Sequence, residues 1–224
     1  MTDQKISAVL WDFGGVLTTS PFEAFNRYEQ EKGLPDNFLR TVNSTNPDSN
    51  AWAKFERSQI NAEEFDKLFL TESTALGHPV PGGDVIQLLS GDLRPRVISA
   101  LTSIAKEMPC VCLTNNVSAG KGPGMSRSEE AQKAVQEVMK LFSQVIESSK
   151  IGMRKPDPDI YKFTCEQMGK SPDQILYLDD LGVNLKPAAA MGMKTIKVLN
   201  EEQLLRDLGN ALGRDFSLDE VIST

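Results

Sequence analysis

Three apolar runs in this chain stop on residues able to handle an anionic group, and one loop carries a lysine that could join them. Ala8-Val9-Leu10-Trp11 leads into Asp12 and then Gly14-Gly15, Pro109-Cys110-Val111-Cys112-Leu113 into Thr114-Asn115-Asn116, and Gln174-Ile175-Leu176-Tyr177-Leu178 into Asp179-Asp180. The loop is Gly152-Met153-Arg154-Lys155-Pro156-Asp157-Pro158-Asp159. Short apolar runs of this kind read as buried strands of a parallel sheet. The carboxyl ends of such strands lie side by side along one edge, where open α/β sheets bind ligands. Residues more than 160 positions apart, Asp12 and Asp179-Asp180, can therefore share one cleft.

Carboxylates brought together in this way set the chemistry. Two like charges about 4 Å apart repel by roughly 4 kcal/mol at an effective dielectric near 20, so a cluster of Asp12, Asp179 and Asp180 needs a compensating cation. Magnesium fits, because it is a hard ion that takes one or two carboxylates and keeps waters for a substrate phosphate. Thr114 offers a hydroxyl, Asn115 an amide and Lys155 a point charge for phosphate oxygens. Singly, each has an ordinary structural use: Asp12, Thr114 and Asn115 as turn caps, Lys155 as a solvated cation, Asp179 or Asp180 as the cap of a helix near Asn184. Their joint placement at the strand ends is what points to one site.

The elements between these stretches follow the pattern needed to position them. From Pro95 onward, strands alternate with helices: a helix over Arg96 to Glu107, one from Ser126 through Phe142 after the glycine-rich loop 119–124, a strand from Gln144 to Ser148 and a helix from Ile160 to Met168. A helix from Asn184 to Met191, a strand from Thr195 to Val198 and a C-terminal helix near Glu201 to Leu212 complete the series. This alternation implies a mostly parallel sheet covered on both faces. Between Pro21 and Leu93 the aromatic residues Phe22, Phe25, Tyr28, Trp52, Phe55, Phe65 and Phe69 recur at helical spacing, with a helix start at Asn61-Ala62-Glu63-Glu64. The predicted fold is α/β, a Rossmann-like doubly wound sheet formed by residues 1–17 and 95–224, with residues 18–94 inserted as a small all-helical cap subdomain.

Composition limits the partners. The 224 residues carry 24 Lys and Arg against 31 Asp and Glu, for a formal net charge of −7, without a basic cluster. That argues against nucleic-acid or anionic-membrane surfaces and leaves an anionic small molecule to be met by local charges. No apolar run approaches the roughly 18 residues of a membrane span, and the first residues lack the basic start of a signal peptide, so the cytoplasm is the expected location. Cys110, Cys112 and Cys165 read as reduced core thiols, and the single histidine, His78, as a loop or packing residue. Oligomeric state is not legible.

The four stretches, in this order, resemble the haloacid dehalogenase superfamily. The resemblance is sharpest from Ile146 to Val198, where the chain is similar to the N-terminal phosphatase domain of soluble epoxide hydrolase. Asp12-Phe13-Gly14-Gly15-Val16-Leu17 also resembles the related domain of acyl-CoA dehydrogenase fusion proteins. The resemblance implies a phosphatase in which Asp12 forms an aspartyl-phosphate and Gly14, Gly15, Thr114, Asn115 and Lys155 hold the phosphoryl group. Magnesium would be bound by Asp12, the Gly14 carbonyl and Asp180, with Asp179 in support. Asn184 stands where many relatives carry another acid. The expected partner is a small phosphate ester.

One departure from that pattern matters. Phosphatases of the superfamily usually carry a second Asp two residues after the nucleophile as general acid, and here that residue is Gly14. General acid catalysis is worth about a hundred- to ten-thousandfold. Glu23 is the nearest guess at a replacement. The rival activities are carbon–halogen hydrolysis, which needs no general acid, and a regulatory or scaffolding module with little turnover.

Overall fold

Side chains on successive residues of a strand point to opposite faces, so a strand buried on both faces must be apolar throughout. Residues Ala8–Trp11 (β1), Cys110–Thr114 (β2), Gln144–Glu147 (β3), Ile175–Asp179 (β4) and Lys194–Lys197 (β5) form one parallel sheet in the order β3-β2-β1-β4-β5. The computed structural model describes residues 6–116 and 129–216. Val9 and Trp11 of β1, Cys110 and Cys112 of β2, and Leu176 and Leu178 of β4 face one apolar cluster, while Leu10, Val111, Leu113, Ile175 and Tyr177 face the other.

Eleven helices are described: α1 Pro21–Lys32, α2 Phe38–Ser44, α3 Ala51–Glu56, α4 Ala62–Ala75, α5 Gly82–Gln87, α6 Pro95–Ala105, α7 Glu129–Met139, α8 Ser148–Ile151, α9 Pro158–Met168, α10 Gly182–Ala190 and α11 Glu201–Leu212. Residues of α6, α7 and α11 cover the first face of the sheet, and residues of α9 and α10 the second. The sheet is thus wound in both directions from its centre, with β1 and β4 adjacent where the direction of winding reverses. Ligands bind in such a crevice.

Register places the site. Trp11 pairs with Leu178, and the amide of Asp12 donates to the Leu178 carbonyl at 2.9 Å, so Asp12 and Asp179 leave the sheet at the same level. On the other side Trp11 pairs with Cys112, which puts Thr114 just beyond that level. The elements follow the expected alternation with small shifts. The strand expected through Ser148 ends at Glu147 because Ser148 opens α8 and exchanges hydrogen bonds with the Asn116 main chain. The helix expected from Asn184 opens two residues earlier, at Gly182. The expected helix start at Ser126 and the loop 119–124 lie outside the described residues. No helix among the described residues is long and apolar enough to cross a membrane.

Helices α1 to α5 surround their own apolar cluster, including Phe25, Leu39, Phe55, Phe65 and Phe69. Asn61 begins α4 with a capping box in which its side chain accepts from the Glu64 amide and the Glu64 carboxylate accepts from its own. Phe65 is the centre of the cluster, stacked on Phe55 at 4.5 Å between ring centroids and meeting Phe69 at 5.4 Å and Trp52 at 5.8 Å. Large-to-small changes at such positions cost the transfer free energy and leave a cavity. Phe65→Ala is expected to lower the unfolding free energy by about 3–5 kcal/mol in urea titrations. A loss below about 1 kcal/mol would show that the cluster does not hold the helical insertion together.

Candidate active site

Asp12 is 7% exposed at the end of β1. Its Oδ1 accepts from the Phe13 amide at 2.7 Å and lies 2.9 Å from the Lys155 ammonium, so the carboxylate is fixed by two donors. Lys155 is 1% exposed, and its Nζ donates to Asp179 Oδ2 at 2.7 Å. Burial alone would lower the lysine pKa, but the charges of Asp12 and Asp179 outweigh it and hold the ammonium protonated. The solvated-cation use of Lys155 is thereby excluded. The lysine sits inside the sheet edge as counter-ion to two acids.

Asp179 is fully buried and surrounded by donors. Oδ1 accepts from the Leu181 amide at 2.8 Å and from the Asn184 amide at 3.0 Å, while Oδ2 accepts from Lys155 and from the Tyr177 hydroxyl. Both oxygens are engaged, and the same carboxylate holds the Lys155 ammonium and the Asn184 amide. The alternation of β4 puts Tyr177 and Asp179 on the same face, a signal available in the sequence and missed there. Asn184, 4% exposed, donates its amide to both Asp179 oxygens, at 3.0 and 3.1 Å. An acid in its place would set a second negative charge against Asp179.

Asp180 completes the cluster: one oxygen each from Asp12, Asp179 and Asp180 lie within 4.8 Å of one another. Burial, then the charge of Asp179, raises the Asp180 pKa to about 6 against the opposing pull of Lys155. The Asp12 pKa is also raised well above the usual carboxylate range. Burial is the main cause, opposed by Lys155 and reinforced by Asp179 and Asp180. The turn after Asp12 is shaped to admit this cluster. Gly15 has φ +75°, and a Cβ there would come within 2.2 Å of Asp180 Oδ2. Only glycine satisfies both demands. A Cβ at Gly14, by contrast, would meet nothing within 4 Å.

Above the cluster lies a cavity of about 780 Å³ between the strand ends and the helical insertion. Asp12, Gly14, Thr114, Asn115, Lys155 and Asp180 line its floor, and Phe22, Phe25, Trp52 and Leu89 its opposite wall. Thr114 is 3% exposed at the end of β2. Asn115, expected to hold phosphate, lines this cavity with its side chain also engaged by Lys155. Its amide donates to the Lys155 carbonyl and accepts from the Lys155 amide, each at 2.9 Å, clamping the lysine's main chain. Gly15, also expected to hold phosphate, is absent from the cavity lining. Glu23 is exposed on α1 and does not line the cavity, so the guess that it supplies a proton there is not supported.

A second set of residues, unmarked in the sequence, joins the insertion to the floor. Glu56, the last residue of α3, is 5% exposed and lies 2.6 Å from Arg154 Nε as an ion pair. Its Oε2 is also 3.5 Å from Asn115 Nδ2. Arg154 Nη1 donates to the Pro47 carbonyl at 2.9 Å, so the residue before Lys155 grips the insertion at two points. Burial raises the Glu56 pKa, with Arg154 as the main opposing influence. Cys110, Cys112 and Cys165 are buried free thiols, and His78 packs edge-on against Phe38 at 5.2 Å.

Comparison with known proteins places this arrangement. The chain is 29% identical to mouse bifunctional epoxide hydrolase 2 over 92% of its own length, and spans 39% of that longer protein. It is 26% identical to the sesquiterpene phosphatase astK of Aspergillus oryzae, over 92% of this chain and 96% of that one. A haloacid dehalogenase family enzyme of Bacteroides thetaiotaomicron, solved with magnesium and inorganic phosphate, shares the fold at a TM-score of 0.54 and 19% identity, covering 88% of this chain and 96% of that one. The family model for haloacid dehalogenase-like hydrolases matches residues 6–192, and the chain belongs to that family of hydrolases.

Proposed function

We propose that this hydrolase is a magnesium-dependent phosphatase that cleaves a small phosphate monoester through an aspartyl-phosphate on Asp12. The observation that carries this reading is the Lys155 ammonium held between Asp12 and Asp179 beside the Asp180 carboxylate, at the floor of a closed-over cavity. A carboxylate that must meet a phosphate dianion needs positive charge around it. Lys155 supplies one part of that charge.

The donor set fits a hard divalent cation, since the cluster offers oxygens alone and burial raises the pKa values of Asp12 and Asp180. Asp12, the Gly14 carbonyl and Asp180 would hold magnesium, which when bound would supply further charge to the phosphoryl oxygens. Asp179 serves as the anchor of Lys155. Thr114 and Lys155 contact the phosphoryl oxygens, and Asn115 keeps Lys155 in place. Asp12 forms a bond to phosphorus as the ester P–O bond breaks, and water then attacks phosphorus to release inorganic phosphate and the free carboxylate. Residues 18–94 act as the cap that excludes bulk water and shapes the leaving-group side. Its apolar wall suits an alcohol with a hydrocarbon body, and the relative named as a sesquiterpene phosphatase supports that class.

Carbon–halogen hydrolysis would use the same carboxylate without a metal. The three-carboxylate cluster favours the phosphatase, because nothing in halide displacement requires it. In a phosphate-ester panel the protein is expected to release phosphate with added magnesium and to stop on addition of a strong chelator. Asp12→Asn, in a folded protein, should reduce turnover on the order of 10⁴-fold. Dehalogenation that persists in chelator, with no phosphate released from any ester, would reverse the assignment.

The raised carboxylates also predict how stability depends on pH. An acid with a folded pKa above its unfolded value contributes stability below the unfolded pKa and loses it as pH rises through the folded value. Metal-free protein should therefore lose stability between about pH 4 and pH 6 to 7 on account of Asp180, with Asp12 acting in the same direction. Magnesium requires the ionised acids and should restore it. At a concentration near 100 times its dissociation constant, magnesium is expected to raise the melting temperature by about 5–10 °C at pH 8, and by much less at pH 5. Equal shifts at both pH values would contradict this account.

A further inference from the structure

Expelling an alcohol from phosphorus requires a proton at the departing oxygen, and the groups lining the cavity limit where it can come from. Asp12 is the attacking carboxylate, and Asp180 belongs to the cation cluster. Lys155 is committed to two acids, and arginines do not release protons near neutrality. Asp48 is exposed, and Asp157 caps α9 by accepting from the Asp159 amide. Among the described residues, no histidine or tyrosine lines the cavity. Glu56 remains. It is a buried carboxyl on the insertion's side, reaching down to Asn115 at the end of β2, with the Trp52 indole as a further partner.

Resting on the phosphatase reading, we propose that Glu56 is the general acid and base of the reaction, supplied by the cap across the cleft from Asp12. As the bond from Asp12 to phosphorus forms and the ester P–O bond breaks, the Glu56 carboxyl proton passes to the leaving oxygen, giving a neutral alcohol and the Glu56 carboxylate. That carboxylate then takes a proton from the water that attacks the aspartyl-phosphate. The P–O bond to Asp12 breaks, inorganic phosphate leaves, and Glu56 is again protonated. Burial favours the protonated form needed for the first step, and Arg154 steadies the carboxylate that the step creates. The charged groups facing Glu56 are Arg154 and, farther off, Lys155, both on the loop that carries the phosphate-binding lysine.

The test compares kcat/KM for an alkyl phosphate and for 2,4-dinitrophenyl phosphate, whose leaving group needs no proton, with magnesium present. Glu56→Gln should lower the alkyl rate about a hundred- to ten-thousandfold and the dinitrophenyl rate far less, with loss of the alkaline limb of the alkyl pH profile. Equal falls for the two esters would show a merely structural role and overturn the proposal. Arg154→Met, which keeps the acid but removes its cation, should shift that limb to higher pH, and an unmoved limb would count against Glu56. Gly14→Asp on the Glu56→Gln background should recover part of the alkyl rate, since that position has room for a side chain facing the same cavity. If wild-type protein shows no dinitrophenyl phosphate hydrolysis sensitive to Asp12→Asn, the phosphatase reading itself fails, a result separable from any outcome with Glu56.

Discussion

A lysine side chain with 1% exposure, held 2.9 Å from one aspartate and 2.7 Å from another, is the constraint around which this protein is arranged. Three buried or half-buried carboxylates at one sheet edge would otherwise repel one another. Lys155 offsets part of that charge. Its own position depends on the Asn115 amide clamping its main chain and on Asp179 holding its ammonium. Removing one partner of such a buried group leaves an uncompensated charge, which typically costs 3–5 kcal/mol. The contacts that stabilise this edge are therefore the ones on which the proposed chemistry rests.

The fold places these groups by register. Adjacent parallel strands with the pairs Trp11–Cys112 and Trp11–Leu178 deliver Asp12 and Asp179 to one level and Thr114 just beyond it. Gly15 leaves space for Asp180, and Asn184 satisfies both oxygens of Asp179. The loop that follows α8 then drives Lys155 into the centre and gives Arg154 to the insertion. Two neighbouring cations on one loop thus face opposite ways. One neutralises the floor, and the other is tied to the helical insertion through Glu56 and Pro47.

Much of this was legible in the residues. Apolar runs ending in Asp12, Thr114 and Asp179-Asp180 mark strand ends, because a strand buried on both faces has to be apolar until it reaches the edge. The alternation of helices and strands from Pro95 onward gave the layering, and Asn61 with Glu64 marked a helix start that is present as a capping box. What stayed hidden depends on side-chain direction. Nothing in the sequence tells whether the Asn115 amide faces a phosphate or the Lys155 main chain. Nor does helical spacing distinguish Glu56 from the solvated acids around it; its burial follows from the packing of α3 over the cleft and from the Arg154 pair. Asp179 read as an acid of the cluster, where it lies, but the four groups that also meet its oxygens, including a tyrosine two residues earlier, were not foreseen.

If Asp12 is the attacking group, its side chain must carry phosphorus for part of every turnover. Rapid acid quenching of the magnesium-loaded protein during hydrolysis of an activated aryl phosphate, followed by mass analysis of the peptide containing Asp12, reads this directly. The arrangement predicts a phosphoryl adduct on Asp12 that forms and decays within one turnover. Steady phosphate release with no adduct on that residue at any quench time would contradict it.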